Sequence, residues 1–183
     1  MPASRPAFHR VLLAMSLLFL ALAIRPALAA DAQKFFDQSL GDFGVELATA
    51  LKEGKRGVLL VFEAEGCPYC RRMKEQVLNR EDVQAYYRAH FAIFSVDVLG
   101  SVTVTDFSGQ AATEKNLARA QRVRGTPTFI FVGRDGKEMA RYAGATRDAA
   151  EFMALGHFVV EGHWQGKSFA DYQLQGRAEG RKP

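Results

Sequence analysis

Cysteine is scarce in this chain of 183 residues, which holds two. Two thiols cannot staple a disulfide-dense mini-protein, and a four-cysteine zinc site is excluded. Histidine is almost as sparse, with four. His90, His157 and His163 show no metal-ligand spacing to the cysteines, so a mixed Cys/His zinc site finds no support either. Acidic residues are missing from the first 29 positions, which carry Arg5, Arg10 and Arg25. Those three supply most of the formal charge of +4; without them, 21 of the 24 basic side chains face 20 acidic ones. So even a balance gives no electrostatic footprint for nucleic acid. A long hydrophobic run is lacking too. The apolar stretch Val11 to Ile24 falls short of the roughly 20 residues that span a bilayer.

That stretch fits a different pattern. Arg5, His9 and Arg10 precede it, and Arg25-Pro26 and Ala27-Leu28-Ala29 follow. A basic start, an apolar middle and a small-x-small end predict a signal peptide over 1–29, cleaved after Ala29, with export to an oxidising compartment. A retained N-terminal anchor is the alternative. The remainder suits one domain with one core. It divides into a helical extension over 30–56, a main domain over 57–162 and a tail over 163–183.

Along the mature chain, Phe35, Phe36, Leu40, Phe43, Leu47 and Leu51 recur at mostly helical spacing between Asp31 and Lys55. Val58-Leu59-Leu60-Val61-Phe62 is a continuous apolar run behind Gly57, the pattern of a buried parallel strand. Pro68 to Asn79 reads as a helix with Cys70, Met73 and Val77 on its inner stripe. Glu81 to His90 reads as a second helix, Phe91 to Val98 as a strand, and Thr113 to Gln121 as another helix. Gly100 to Ala112 lies between them as an irregular insertion. Thr128 to Val132 and Glu138 to Tyr142 are strands joined by Arg134-Asp135-Gly136-Lys137, whose Asp-Gly is a hairpin signal. Arg147 to Val160 is expected as the last helix, with Trp164 and Phe169 docking the tail and Gly176 to Pro183 frayed. A parallel βαβ followed by an antiparallel hairpin requires a mixed sheet covered by helices on both faces.

Cys67-Pro68-Tyr69-Cys70 falls where a strand turns into a helix. Proline favours the first helical position, which makes Cys67 the N-cap. Backbone N–H groups and the helix dipole then favour a thiolate at Cys67, while Cys70 lies on the buried stripe. An exposed nucleophilic thiol with a shielded neighbour is the arrangement of a disulfide-exchange catalyst, which needs no cofactor and no metal. Two other readings stay open. A purely structural disulfide closing so short a loop contributes on the order of 2 kcal/mol, and two thiolates also suit Cu(I).

With these residues the chain resembles the thioredoxin superfamily. The matching positions are Val58–Phe62, Glu65-Gly66-Cys67-Pro68-Tyr69-Cys70, Gly125-Thr126-Pro127-Thr128, the Asp-Gly hairpin and the final helix. The resemblance implies an α/β thioredoxin fold and Cys67 and Cys70 as the catalytic pair. It also implies a cis Pro127, with Thr126 and Pro127 facing the cysteines and, with Tyr69, meeting the substrate. A narrower resemblance, to periplasmic thioredoxin-like proteins of the SoxW type, rests on three segments. These are Gly66-Cys67-Pro68-Tyr69-Cys70-Arg71, Val104-Thr105-Asp106-Phe107-Ser108-Gly109, and Arg122-Val123-Arg124 before Thr126. It implies a monomeric periplasmic reductant of protein disulfides, supplied by a membrane thiol transporter. Gly66 stands where classical thioredoxin has Trp, Pro-Tyr replaces its Gly-Pro, and Val61 occupies the place of its buried acid. Glu63 is the nearest carboxylate to substitute for that acid, or else a solvated or salt-bridged carboxylate at the strand end. Val102, Val104 and Phe107 in the insertion either shape partner choice or pack as a flap on the core. The same site could run as an oxidant or isomerase, and a non-catalytic Cu(I) chaperone is the alternative outside enzymes.

Overall fold

A computed structural model describes residues 31–179; the leader, and with it the cleavage expectation, lies outside the described residues. Helices run over Phe43–Lys52 (α1), Pro68–Met73 (α2), Glu81–His90 (α3), Glu114–Ala120 (α4), Ala149–Val160 (α5) and Phe169–Ala178 (α6). Strands run over Gly57–Glu63 (β1), Phe91–Asp97 (β2), Thr103–Thr105 (β3), Ala111–Thr113 (β4), Thr128–Val132 (β5) and Glu138–Ala143 (β6).

The main sheet has the order β2-β1-β5-β6. β1 pairs parallel with β2 and antiparallel with β5, and β5 pairs antiparallel with β6. The sheet is mixed, as expected. Side chains alternate across each strand, so the two faces can be read from residue parity. Leu59, Val61, Ile93, Phe129 and Phe131 enter one core, with Met73, Val77, Tyr87 and Phe152 from the covering helices. Val58, Leu60, Phe62, Phe94, Ile130 and Val132 enter the other, with Phe43, Leu47 and Leu117. Both faces of β1 and β5 are therefore dry, which is why their sequences are continuously apolar rather than alternating.

Four expectations need correction. The helical reading of Asp31 to Lys55 breaks into a 3-10 turn over Ala32–Phe35 and α1. Gly41 between them has φ +89°, and the Asp42 carboxylate caps α1 by accepting from the Val45 N–H at 3.0 Å. Leu40 fits the apolar period but lies 96% exposed in that break. The helix begun at Pro68 continues beyond Met73 as a π-helical turn, Lys74–Leu78. The irregular insertion contains the antiparallel pair β3–β4. Ala149–Val160 is not the last helix, since α6 follows and extends into the stretch expected to fray. Phe169 and Tyr172 of α6 pack on Phe158, which gives that helix a reason to form.

The Asp-Gly turn behaves as its sequence indicates. Gly136 has φ +72°, its N–H donates to the Gly133 carbonyl at 3.0 Å, and the Asp135 carboxylate accepts from Lys137 N–H. A side chain there would be strained, which explains the glycine.

Candidate active site

β1 carries the chain to Glu63, and a tight turn through Gly66, at φ +75°, redirects it into α2. Pro68 takes the first helical position and Cys67 becomes the N-cap. The Cys67 sulfur accepts from the Cys70 backbone N–H at 3.1 Å, an N–H that has no carbonyl partner within the helix. Cys67 and Cys70 are joined by a disulfide, with a Cα–Cα distance of 5.3 Å. Their surroundings differ. Cys70 is 5% exposed on the same inward stripe as Met73, while Cys67 is half-buried beside exposed Pro68 and Tyr69.

The second wall comes from the start of β5. The Thr126–Pro127 bond is cis. The Thr126 carbonyl lies 3.5 Å from the Cys67 sulfur, within reach of a thiol S–H donor. Pro127 is buried, and its carbonyl accepts from Gly144 N–H at 2.8 Å, which ties this turn to the end of β6. Thr128 adds a hydroxyl bond to the Gly125 carbonyl at 2.7 Å. Cys67, Cys70, Thr126 and Pro127 thus come from two distant segments to one end of the sheet. Tyr69 lies on the exposed turn of α2, 60% exposed, beside them.

A cleft of about 610 Å³ opens at the disulfide, lined by Cys67 and Cys70 together with Glu63, Glu65, Glu75 and Asp97. Glu63 is a salt-bridged carboxylate. It meets Lys74 Nζ at 2.7 Å and accepts from the Ser95 hydroxyl at 2.7 Å. Val61, in the place of the family's buried acid, is 2% exposed in the first core. Two connections were not foreseen from sequence. Lys74 neutralises Glu63 from one helical turn beyond Cys70. The Arg72 guanidinium donates to the Thr146 carbonyl, tying α2 to the loop before α5. The insertion divides by residue: Val104 is 6% exposed, Phe107 stacks on Phe43 at 5.9 Å, and Val102 stays 63% exposed. Two of the three are flap residues packed on the core. Trp164 and Phe169 pack against the first core, as tail-docking residues would.

Residues 43–159 match the thioredoxin-like domain family. The chain belongs to that family. Among solved relatives of this thioredoxin-like protein, a thioredoxin from Thermus thermophilus is 34% identical, with a TM-score of 0.53 over 71% of this chain and 95% of that one. A thioredoxin-fold protein from Helicobacter pylori shares the fold at a TM-score of 0.61 and 24% identity, covering 82% and 92% of the two chains. Over 121 residues the chain is also 33% identical to the thiol:disulfide interchange protein DsbD 2 of Pseudomonas aeruginosa. That match takes in 66% of this chain but only 17% of the relative. With a bridged CxxC pair at the helix start of this fold, the thioredoxin-like protein is a thiol–disulfide oxidoreductase.

Proposed function

We propose that this thioredoxin-like protein is an exported reductase of protein disulfides, with Cys67 as nucleophile and Cys70 as resolving thiol. The observation that carries this reading is the asymmetry of the pair: a half-buried Cys67 capping the helix and a shielded Cys70 behind it. In the reduced protein, the Cys67 thiolate attacks one sulfur of a partner disulfide. That S–S bond breaks, a mixed disulfide forms, and the partner's second sulfur leaves as a thiolate that takes up a proton. Cys70 then loses its proton and attacks the Cys67 sulfur. The partner's remaining thiol is released and the Cys67–Cys70 bond forms, moving two electrons to the partner. Thr126, Pro127 and Tyr69 border Cys67 and receive the partner's backbone.

The charges around the cleft support the direction. A strong oxidant owes its potential to a stabilised reduced form. Here four carboxylates line the cleft against two cations, Arg71 and Lys74; Lys74 is already held by Glu63, and Arg72, outside the lining, by the Thr146 carbonyl. This environment opposes a thiolate and favours a reducing pair. Export rests on the leader's composition; among the described residues no helix is long and apolar enough to cross a membrane. The family resemblance supports a membrane thiol transporter as electron donor, and the SoxW-type segments support a periplasmic setting.

Insulin reduction and an equilibrium redox titration test the reading. Catalysed insulin precipitation is expected, with a potential near the −270 mV typical of thioredoxin. A potential near −120 mV would reverse the direction of electron flow. A folded protein inert toward insulin would belong to the binding class instead.

A further inference from the structure

Two concavities of opposite charge meet at the dithiol. The cleft lined by Cys67 and Cys70 carries four carboxylates against two cations, Arg71 and Lys74. A separate groove of about 310 Å³ is lined by Thr126, whose carbonyl contacts the Cys67 sulfur, together with Leu99, Lys115, Arg119 and Arg124. Among the described residues, no carboxylate lines this groove. Lys115, Arg119 and Arg124 are exposed, and none of them forms an ion pair among the described residues. Glu114, their acidic neighbour on α4, turns its carboxylate to the Asp97 N–H at 3.2 Å. Leu99 adds an exposed apolar surface, at 69%.

The two sides differ in how far their charge is already satisfied. In the cleft, Lys74 neutralises Glu63 at 2.7 Å. In the groove, three cations stand without counter-charge among the described residues, beside the backbone that meets Cys67. A partner segment lying along Thr126 places its neighbouring side chains over those cations. We propose that the groove selects protein segments that carry acidic residues beside their disulfide, with an apolar side chain meeting Leu99. This names the substrate class of the reductase reading and rests on it.

Three peptides of equal length, each with one disulfide flanked by Glu, Gln or Lys, test the proposal on the full-length protein. The expected order of kcat/KM is Glu, then Gln, then Lys. The spread is on the order of tenfold at low salt, is carried by KM, and shrinks as salt screens the groove. The double variant Arg119→Glu/Arg124→Glu should invert the order. The milder Arg119→Gln/Arg124→Gln, which keeps side-chain bulk if reversal unfolds the protein, should flatten it to about twofold. Equal rates for the three peptides, a preference for Lys flanks, or an unchanged order in the variants would overturn the proposal. The same peptides with serine for cysteine should bind in the same order by calorimetry, a readout that needs no exchange chemistry. Reduction of hydroxyethyl disulfide, which has no flanking residues, tests the reductase reading separately.

Discussion

The dithiol end of the sheet and the contact between α3 and α5 are built on opposite principles. At the dithiol end, α2 is six residues long, Pro68 and Tyr69 face solvent, and the cleft is lined with charge. Between α3 and α5, Tyr87 is fully buried, stacks on Phe152 at 4.3 Å and donates its hydroxyl to the Phe152 carbonyl. Burial pushes the Tyr87 phenol well above its ordinary range, so it stays a neutral donor there. Gly156 lets the helices approach so closely that an added Cβ would lie 2.8 Å from the Tyr86 ring. One region keeps reactive and charged groups reachable; the other excludes water and holds the frame. Substitutions at the first should change rates and potentials, and substitutions at the second should change stability.

The largest effect is expected at the cysteines. Cys67→Ser should abolish exchange, because no nucleophile remains at the helix N-cap. Cys70→Ser should still attack but leave partners trapped as mixed disulfides, visible on non-reducing gels. Equal trapping by both variants would reject the assigned roles. Phe152→Ala, at the other region, should cost about 3–5 kcal/mol in urea unfolding by emptying a fully buried site. Gly156→Ala should cost less, about 1–2 kcal/mol, because the clash with Tyr86 and Tyr87 is partly offset by alanine's better helix propensity. Insulin reduction by the folded fraction should stay near wild type in both. A loss of activity larger than the loss of folded protein would mean the two regions are coupled.

What the sequence made legible follows the same division. β1 and β5 are dry on both faces, and a dry strand leaves an unbroken apolar run such as Val58–Phe62. Proline after Cys67 and the Asp-Gly pair are local signals, and both elements form where those signals lie. Other features depend on tertiary context. Leu40 keeps the helical period across a break that Gly41 and the Asp42 cap impose. The strands β3 and β4 have three residues each, too few to show an alternation. α6 forms by docking Phe169 and Tyr172 on Phe158, a contact that its mixed composition does not announce. Lys115, Arg119 and Arg124 look like a solvated face until the fold brings Thr126 to Cys67.

The next effect concerns how the frame is fastened near the site. Asp148 caps α5 by accepting from the Glu151 N–H at 2.8 Å, and this bond chiefly holds its carboxyl below the usual carboxylate range. A depressed folded-state value means the cap stabilises above the unfolded value, near 3.9, and is lost as pH falls through the folded one. Asp148→Ala should therefore lose about 1 kcal/mol at neutral pH. Its deficit against wild type should close as pH is lowered below about 4. A deficit independent of pH would assign the cost to packing.

The smallest expected effect returns to the cleft. Glu63→Gln keeps the shape and the acceptor for Ser95 but removes one negative charge and leaves Lys74 without its counter-ion. Both changes favour the thiolate form of the pair, so the redox potential should rise, becoming more oxidising by on the order of 10–30 mV. The shift is kept small by solvent in the open cleft, which screens charge. Lys74→Gln should move the potential the other way, since the Glu63 carboxylate then stands without its counter-ion. Stability should change by less than about 1 kcal/mol in either variant, because the pair is partly exposed. Shifts of opposite sign with little change in unfolding would tie this ion pair to the chemistry of the dithiol. Two unmoved potentials would make it a strand-end salt bridge and nothing more.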